Sequence, residues 1–207
     1  MILPVRDEPR LNEFLGALHQ TLIDDYEIIV VMGDREKLYP ELPPHPCLRV
    51  VHSFADNLER AILMGFSVAQ GDRLLVMDSD GSHPVEMVPY MLNQLATYEL
   101  AVGSRYLDGS RFEQSAFRKL VSWCFRWAAW LRGSKLSDPM SGFFAVRREV
   151  VERTRFKPLK WKTCLEIELK ARPRTVEIPI NFRKRVAGAS KTKLITGIHL
   201  IYDLVTL

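Results

Sequence analysis

Asp78 and Asp80 stand one residue apart at the end of an apolar run, Leu74-Leu75-Val76-Met77, and are followed by Gly81-Ser82-His83-Pro84. On an extended chain, side chains at i and i+2 point the same way. Two such carboxylates can converge on one hard cation that takes oxygen ligands, Mg²⁺ or Mn²⁺. Pro84 reads as the first position of a helix, after a Ser or His cap. A buried strand that ends in acids and leads into a helix is where open α/β sheets bind ligands. Taken alone, the pair also fits two solvated acids in a turn.

Two chemistries use this spacing. In nucleotide-sugar glycosyltransferases the Asp-x-Asp pair holds a metal that in turn holds a diphosphate. In haloacid-dehalogenase-like phosphatases the first Asp of Asp-x-Asp-Gly-Ser/Thr is a nucleophile and the second a general acid/base. The phosphatase also needs a later Lys and a later acidic pair. Asp138 is the one later candidate at a turn, and no acidic pair follows it.

The elements that must carry Asp78 and Asp80 are legible around them. Strands are expected at 1–5, 26–32, 48–51 and 74–77, separated by helices at about 9–22 and 57–69. Asp7 is a candidate cap for the first helix, and Asp56 or Asn57 for the second. Alternating buried-type strands and helices argue a parallel sheet covered on both faces. After the acids come a helix at 86–97, a strand at 100–103, a helix at 115–131, a strand at 143–146, a helix at 163–170 and a strand at 175–182. Pro179 marks the last of these strands as an edge. A basic loop at 183–191 leads to an amphipathic helix at 192–207.

Composition limits the partners only mildly. The 207 residues suit one domain, and 47% hydrophobic with 26% charged residues is ordinary for a globular protein. The net charge of +4 favours anionic partners such as phosphates, anionic lipid or nucleic acid, without choosing among them. Cys47, Cys124 and Cys164 have no metal-ligand spacing, so free thiols in a reducing compartment are expected. Neither a secretory leader nor a membrane-spanning helix is expected from the apolar runs present. The helix at 115–131 mixes Trp123, Phe125, Trp127 and Trp130 with Arg118, Lys119 and Arg126, and Arg132 follows it. That pattern fits a core helix, or an interfacial one whose rings sit at headgroup level.

A set of short segments then matches one family in order along nearly the whole chain. They are Pro4-Val5-Arg6-Asp7-Glu8, Ala69-Gln70-Gly71-Asp72, Met77-Asp78-Ser79-Asp80 with His83-Pro84, Val102-Gly103-Ser104-Arg105-Tyr106, and Arg118 with Ser122. They continue with Asp138-Pro139-Met140-Ser141-Gly142-Phe143, Val176-Glu177-Ile178-Pro179-Ile180 and Arg185-Val186-Ala187-Gly188-Ala189-Ser190-Lys191. With these the chain resembles the family-2 inverting glycosyltransferases, and within them the dolichol-phosphate mannose synthase and polyprenyl-phosphate glycosyltransferase group. It departs from their pattern at Arg6-Asp7, at Met32-Gly33-Asp34 and at Asn57-Leu58-Glu59-Arg60, all toward the nucleotide end.

The resemblance implies an α/β fold: a single GT-A-type, Rossmann-like domain with a mostly parallel central sheet flanked by helices and a C-terminal amphipathic helix. It implies a nucleotide-sugar half at about 1–103 and an acceptor half at about 104–207. The implied reaction is metal-dependent inverting transfer of a hexose to a polyprenyl or dolichyl phosphate, with mannose from GDP-mannose favoured and a UDP-sugar as the alternative. A catalytically inactive binding module of the same fold is the non-enzyme alternative. Pro4, Asp7, Glu8, Asp34, Asp78 and Asp80 are implied at the nucleotide-sugar. Mg²⁺ or Mn²⁺ is implied on Asp78, Asp80 and, more weakly, Ser82. Asp80, Arg105, Arg118, Ser122, Arg185 and Lys191 are implied as the catalytic set, the last five converging on the acceptor phosphate. The implied location is the cytoplasmic face of a membrane, peripheral or anchored by a segment following Leu207. No nucleic-acid partner is implied.

Overall fold

The computed structural model describes residues 1–183 apart from 7, 23–24, 34–41, 43, 54–56, 111–115 and 158–161, with the side chains of 116–119 also outside the description. Asp7, Asp34, Asp56, Arg185, Lys191, the basic loop after Arg183 and the expected helix at 192–207 therefore lie outside the described residues.

The first strands form where the sequence is apolar without interruption. β1 (Ile2–Val5) and β2 (Ile28–Gly33) are buried almost throughout. They pair in parallel, Ile2 opposite Ile29 and Val5 opposite Met32. Period-2 alternation sends their side chains to both faces. Leu3 and Val30 join one apolar cluster with Leu11, Phe14, Leu15 and Leu18 of α1 (Leu11–Thr21). Ile2, Ile29 and Val31 join the other, with Ala61, Ile62 and Phe66 of α2 (Leu58–Val68). Helices therefore cover both faces, as parallel sheets require. Gly65 lets α2 settle on β1, since a Cβ there would collide with the Ile2 side chain.

Among the described residues seven strands form one sheet, in the order β3-β2-β1-β4-β6-β5-β7. β3 is Leu48–Ser53, β4 Arg73–Val76, β5 Leu100–Ser104, β6 Phe144–Arg147 and β7 Thr175–Pro179. The pairs β2–β3, β1–β4 and β5–β7 are parallel. β6 runs antiparallel to both its neighbours, β4 and β5. β7 is an edge strand ending at Pro179, as its proline predicts.

Several local expectations are corrected. α1 begins at Leu11, with Arg10 at its N-cap and no side-chain cap, so Pro9 precedes the helix rather than lying in its first turn. Asn57 does cap α2, its side-chain oxygen accepting from the Glu59 amide at 2.9 Å. Pro84 does not open an α-helix: Val85–Met87 is a 3₁₀ turn, and α3 spans Val88–Gln94. Pro89 is the physical reason. It has no N–H to donate to residue 85, so an α-helix starts only where that proline falls in its first turn. α4 is Ala116–Leu131, and a short α5 (Arg148–Arg153) that the sequence did not disclose precedes α6 (Thr163–Ala171).

Glu99, just before β5, ties that strand to the lead-in of β7 and to α5. Its carboxylate accepts from the Arg174 amide at 2.7 Å and from Arg153 Nη2 at 2.8 Å. These bonds, the Arg174 amide first, lower its pKa from the usual 4.5. The unfolded chain therefore binds the extra proton first, and stability rises with pH across this window. The contribution is complete above about pH 4.5 and is lost as pH falls through the lowered folded value. Urea midpoints measured between about pH 3 and 6 should fall less steeply on acidification for Glu99→Gln than for the wild type.

Candidate active site

The described candidate residues Pro4, Glu8, Asp78, Asp80 and Arg105 lie at the C-terminal ends of β1, β4 and β5, beside the loop that enters β6. β4 stops at Val76, Met77 is still buried, and Asp78 and Asp80 follow on the turn beyond. Gly81 closes that turn with φ 73°, a backbone conformation that favours glycine. Asp80 Oδ1 accepts from the Ser82 amide at 3.0 Å and also from the Ser82 hydroxyl. Ser82 is fully buried, so it shapes the Asp80 turn. Pro4 is buried in β1, and Glu8 is buried just beyond that strand.

Asp78 meets two groups to which sequence reasoning gave no role in the site. His83 Nε2 lies 3.4 Å from Asp78 Oδ2. Gly142 leaves room for the same carboxylate: a Cβ there would stand 3.2 Å from Oδ2 and 3.5 Å from Cγ. A larger residue at 142 would displace the acid.

Arg105 leaves the end of β5 and is gripped by Asp138. Nε and Nη2 donate to the two carboxylate oxygens at 2.7 and 2.8 Å, and the Arg105 amide adds a third bond at 3.1 Å. Asp138 is completely buried. Burial alone would lower the Arg105 pKa, but the hydrogen bonds and charge of Asp138, with Tyr106 and Asp78 adding to them, raise it. Arg105 is thus a fixed cation whose position Asp138 sets, and Asp78 is close enough to act on its charge.

Glu177 of β7 holds the Asp138 loop in turn. It accepts from the Ser137 amide and hydroxyl, both at 2.8 Å, and from the Asp138 amide at 3.1 Å. Ser141 Oγ donates to the Gly103 carbonyl at 2.7 Å. The loop from Ser137 to Phe143 is therefore tied to β5 and β7 while touching both Arg105 and Asp78. Burial pushes the Cys164 thiol well up, and the charges of Asp138, Glu168 and Glu177 add to it, so it remains a neutral packing group.

Phe182 links the two ends of the site. Its ring lies edge-on to His83 at 5.1 Å and within 5.4 Å of the Arg105 guanidinium. Arg126 of α4 sits 4.5 Å over the Tyr106 ring, which brings α4 to the Arg105 side. Ser122 is half-buried one turn before Arg126 on that helix, so the two share a face. The structure thus brings Asp78 close to Arg105, and sets Arg126 of α4 against Tyr106, the residue after Arg105. The Arg118 side chain, Arg185 and Lys191 lie outside the description. Glu177, His83, Gly142 and Phe182 are the residues whose roles sequence reasoning missed. Glu177 carried a signal, an acid on a strand whose neighbours are apolar.

The two carboxylates suit a hard divalent cation by donor type. The buried imidazole facing Asp78 and the side-chain-free backbone at Gly142 form a support for one of them. Asp78 and Asp80 would hold the ion, while Ser82 serves Asp80.

The chain belongs to Glycosyl transferase family 2, whose pattern matches residues 1–155. Curated relatives narrow this further. A dolichol-phosphate mannosyltransferase of Pyrococcus furiosus is 34% identical over 93% of this chain and 58% of its own length. An undecaprenyl-phosphate mannosyltransferase of Micrococcus luteus is 30% identical over 70% of this chain and 65% of its own. The chain thus spans somewhat over half the length of the curated relatives it matches. In fold it is like glucosyl-3-phosphoglycerate synthase of Mycobacterium tuberculosis in complex with phosphoglyceric acid, at TM-score 0.74 and 18% identity, covering 99% of this chain and 78% of that one. The same synthase with Mn²⁺, UDP-glucose and phosphoglyceric acid gives a TM-score of 0.73 at 18% identity, covering 99% and 77%. The domain is of the GT-A type, and the expected family and fold both hold. Membership of this family sets aside the phosphatase reading of Asp78 and Asp80.

Proposed function

We propose that this chain catalyses inverting transfer of a hexose from a nucleotide-diphosphate sugar to a polyprenyl or dolichyl phosphate at a membrane surface, with mannose from GDP-mannose as the favoured donor. The observation that carries the reading is the meeting of Asp78 with the Asp138-fixed Arg105, in a chain 34% identical to a dolichol-phosphate mannosyltransferase. Residues up to about 103 would serve the nucleotide-sugar and those beyond it the acceptor.

The chemistry asks little of a general base. A phosphate monoester is already anionic near neutral pH, so the acceptor attacks the anomeric carbon directly from the face opposite the leaving diphosphate. Mg²⁺ or Mn²⁺ on Asp78 and Asp80 would supply Lewis-acid stabilisation of that leaving group. Arg105 would orient the acceptor phosphate, and its fixed geometry lowers the cost of doing so. Arg118, Ser122, Arg185 and Lys191 are the further acceptor-phosphate donors proposed, and Pro4, Asp7, Glu8 and Asp34 the nucleotide-side residues. Transfer to dolichyl phosphate in liposomes, from GDP-mannose and from UDP-hexoses with Mn²⁺, tests this. Transfer from UDP-hexose alone would move the donor to the alternative, and none from any donor would leave an inactive binding module.

The membrane part of the reading rests on α4. Phe125, Ala128 and Ala129 bury one face against Leu165 of α6. Five other apolar residues point outward: Leu120, Trp123, Trp127, Trp130 and Leu131 are 53–65% exposed. Their 3- and 4-residue spacing makes one stripe. The helix has no acid, and it carries Arg118, Lys119 and Arg126. No described helix is long and apolar enough to cross a membrane. An apolar stripe with basic neighbours suits the headgroup level of an anionic leaflet, about 1 kcal/mol coming from each basic residue near the surface. Replacing Trp123, Trp127 and Trp130 by Ser should abolish flotation with anionic liposomes at low salt while leaving the melting midpoint unchanged. Equal flotation of wild type and variant would remove α4 from the reading. A peripheral position on the cytoplasmic face, reinforced by a membrane segment following Leu207, is the location proposed.

A further inference from the structure

We propose that His83 is the positioning residue that sets the Asp78 carboxylate for its cation, an inference that rests on the metal site proposed above. His83 is 3% exposed, and among the described residues neither ring nitrogen has a hydrogen-bond partner. A buried imidazole in that state carries a desolvation cost that a buried polar group ordinarily avoids. Its ring is walled by Phe143 at 5.3 Å and Phe182 at 5.1 Å.

The Asp78 carboxylate is within reach. Nε2 stands 3.4 Å from Asp78 Oδ2, close enough to interact but long for a hydrogen bond. The Asp78 side chain is 34% exposed, so the carboxylate is the partner that can move. Gly142 leaves the carboxylate that freedom, because a Cβ there would stand 3.2 Å from the same oxygen. A shift of a few tenths of an ångström, within the reach of an ordinary hydrogen bond, would let Nε2–H donate to Oδ2. Oδ1 is then the oxygen presented to the cation. Groups that orient a metal-binding carboxylate in this way commonly set metal affinity as much as the ligands do.

The test uses the whole chain and reads binding rather than turnover. Mn²⁺ is titrated by electron paramagnetic resonance with saturating GDP or UDP, whichever the wild type binds, and melting is recorded without metal. His83→Leu should weaken Mn²⁺ binding by about tenfold or more without lowering the metal-free midpoint. His83→Gln should restore binding to near wild type, since its amide nitrogen reaches the place of Nε2. Should His83→Leu fail to fold, His83→Asn against His83→Gln carries the same contrast, because the Asn amide stops at the place of Nδ1. Wild-type affinity in His83→Leu, or equal weakening in Gln and Asn, overturns the positioning role while leaving the metal site standing. Absence of Mn²⁺ binding by the wild type itself overturns both.

Discussion

Asp80→Asn is expected to cut sugar transfer by about 10³-fold or more, the equivalent of several kcal/mol of lost leaving-group stabilisation, with the fold intact. The choice of Asn matters. Asp80 Oδ1 accepts from the Ser82 amide, and Asn retains an oxygen at that place, so the turn through Gly81 survives. What is lost is one negative charge facing a divalent ion. Melting midpoints of wild type and variant without metal should coincide, and the transfer rate in Mn²⁺-replete buffer should collapse. Retention of transfer within about tenfold would mean that the cation, if used, does not rest on Asp80. Ser82→Ala separates turn shape from charge: it should cost far less activity, because it removes only the hydroxyl that braces Asp80.

The second large effect is expected at Asp138. Replacing it with Ala leaves the Arg105 guanidinium, whose side chain is 17% exposed, without its bidentate partner. It also leaves the Arg105 amide without its acceptor. Breaking a buried pair from one side typically costs about 3–5 kcal/mol, and a value toward the lower end is expected because Arg105 retains some solvent. Asp138→Asn retains an acceptor but loses the charge, so it should fall between wild type and Ala. Glu177→Gln should also fall between them, since it weakens the grip on the Ser137 and Asp138 amides without removing the pair. Urea unfolding at neutral pH with unchanged slope checks the order. A midpoint for Asp138→Ala equal to that of wild type would show that the pair does not anchor the loop. The same variant should lose transfer beyond its loss of stability, because Arg105 then loses the bidentate partner that aims it.

The sequence by itself determined the class of fold and the address of the metal-type acids. The apolar runs of β1, β2 and β4 have one stable use, as strands covered on both faces, and the periodic residues of α1 and α2 supply the covers. Asp78 and Asp80 sit at a strand end because apolar residues stop there, which is a local fact. Pro179 announced an edge for the equally local reason that it cannot donate to a ladder. The relation to family-2 glycosyltransferases was also legible, because its short segments keep their order along the chain.

Tertiary structure alone decided which of these pieces meet. Local periodicity encodes burial but not the identity or direction of a neighbouring strand, so nothing in Phe144–Arg147 announces an antiparallel strand between β4 and β5. That placement brings the Ser137–Phe143 loop against Asp78 at one end and Arg105 at the other. The bonds that fix it join residues 33 to 40 positions apart, beyond any sequence window. The α4 tryptophans make the same point from the surface. A helix with apolar residues on two faces gives one periodic signal for both, and only the packing of Phe125, Ala128 and Ala129 on α6 decides which face is covered and which is left to water or lipid.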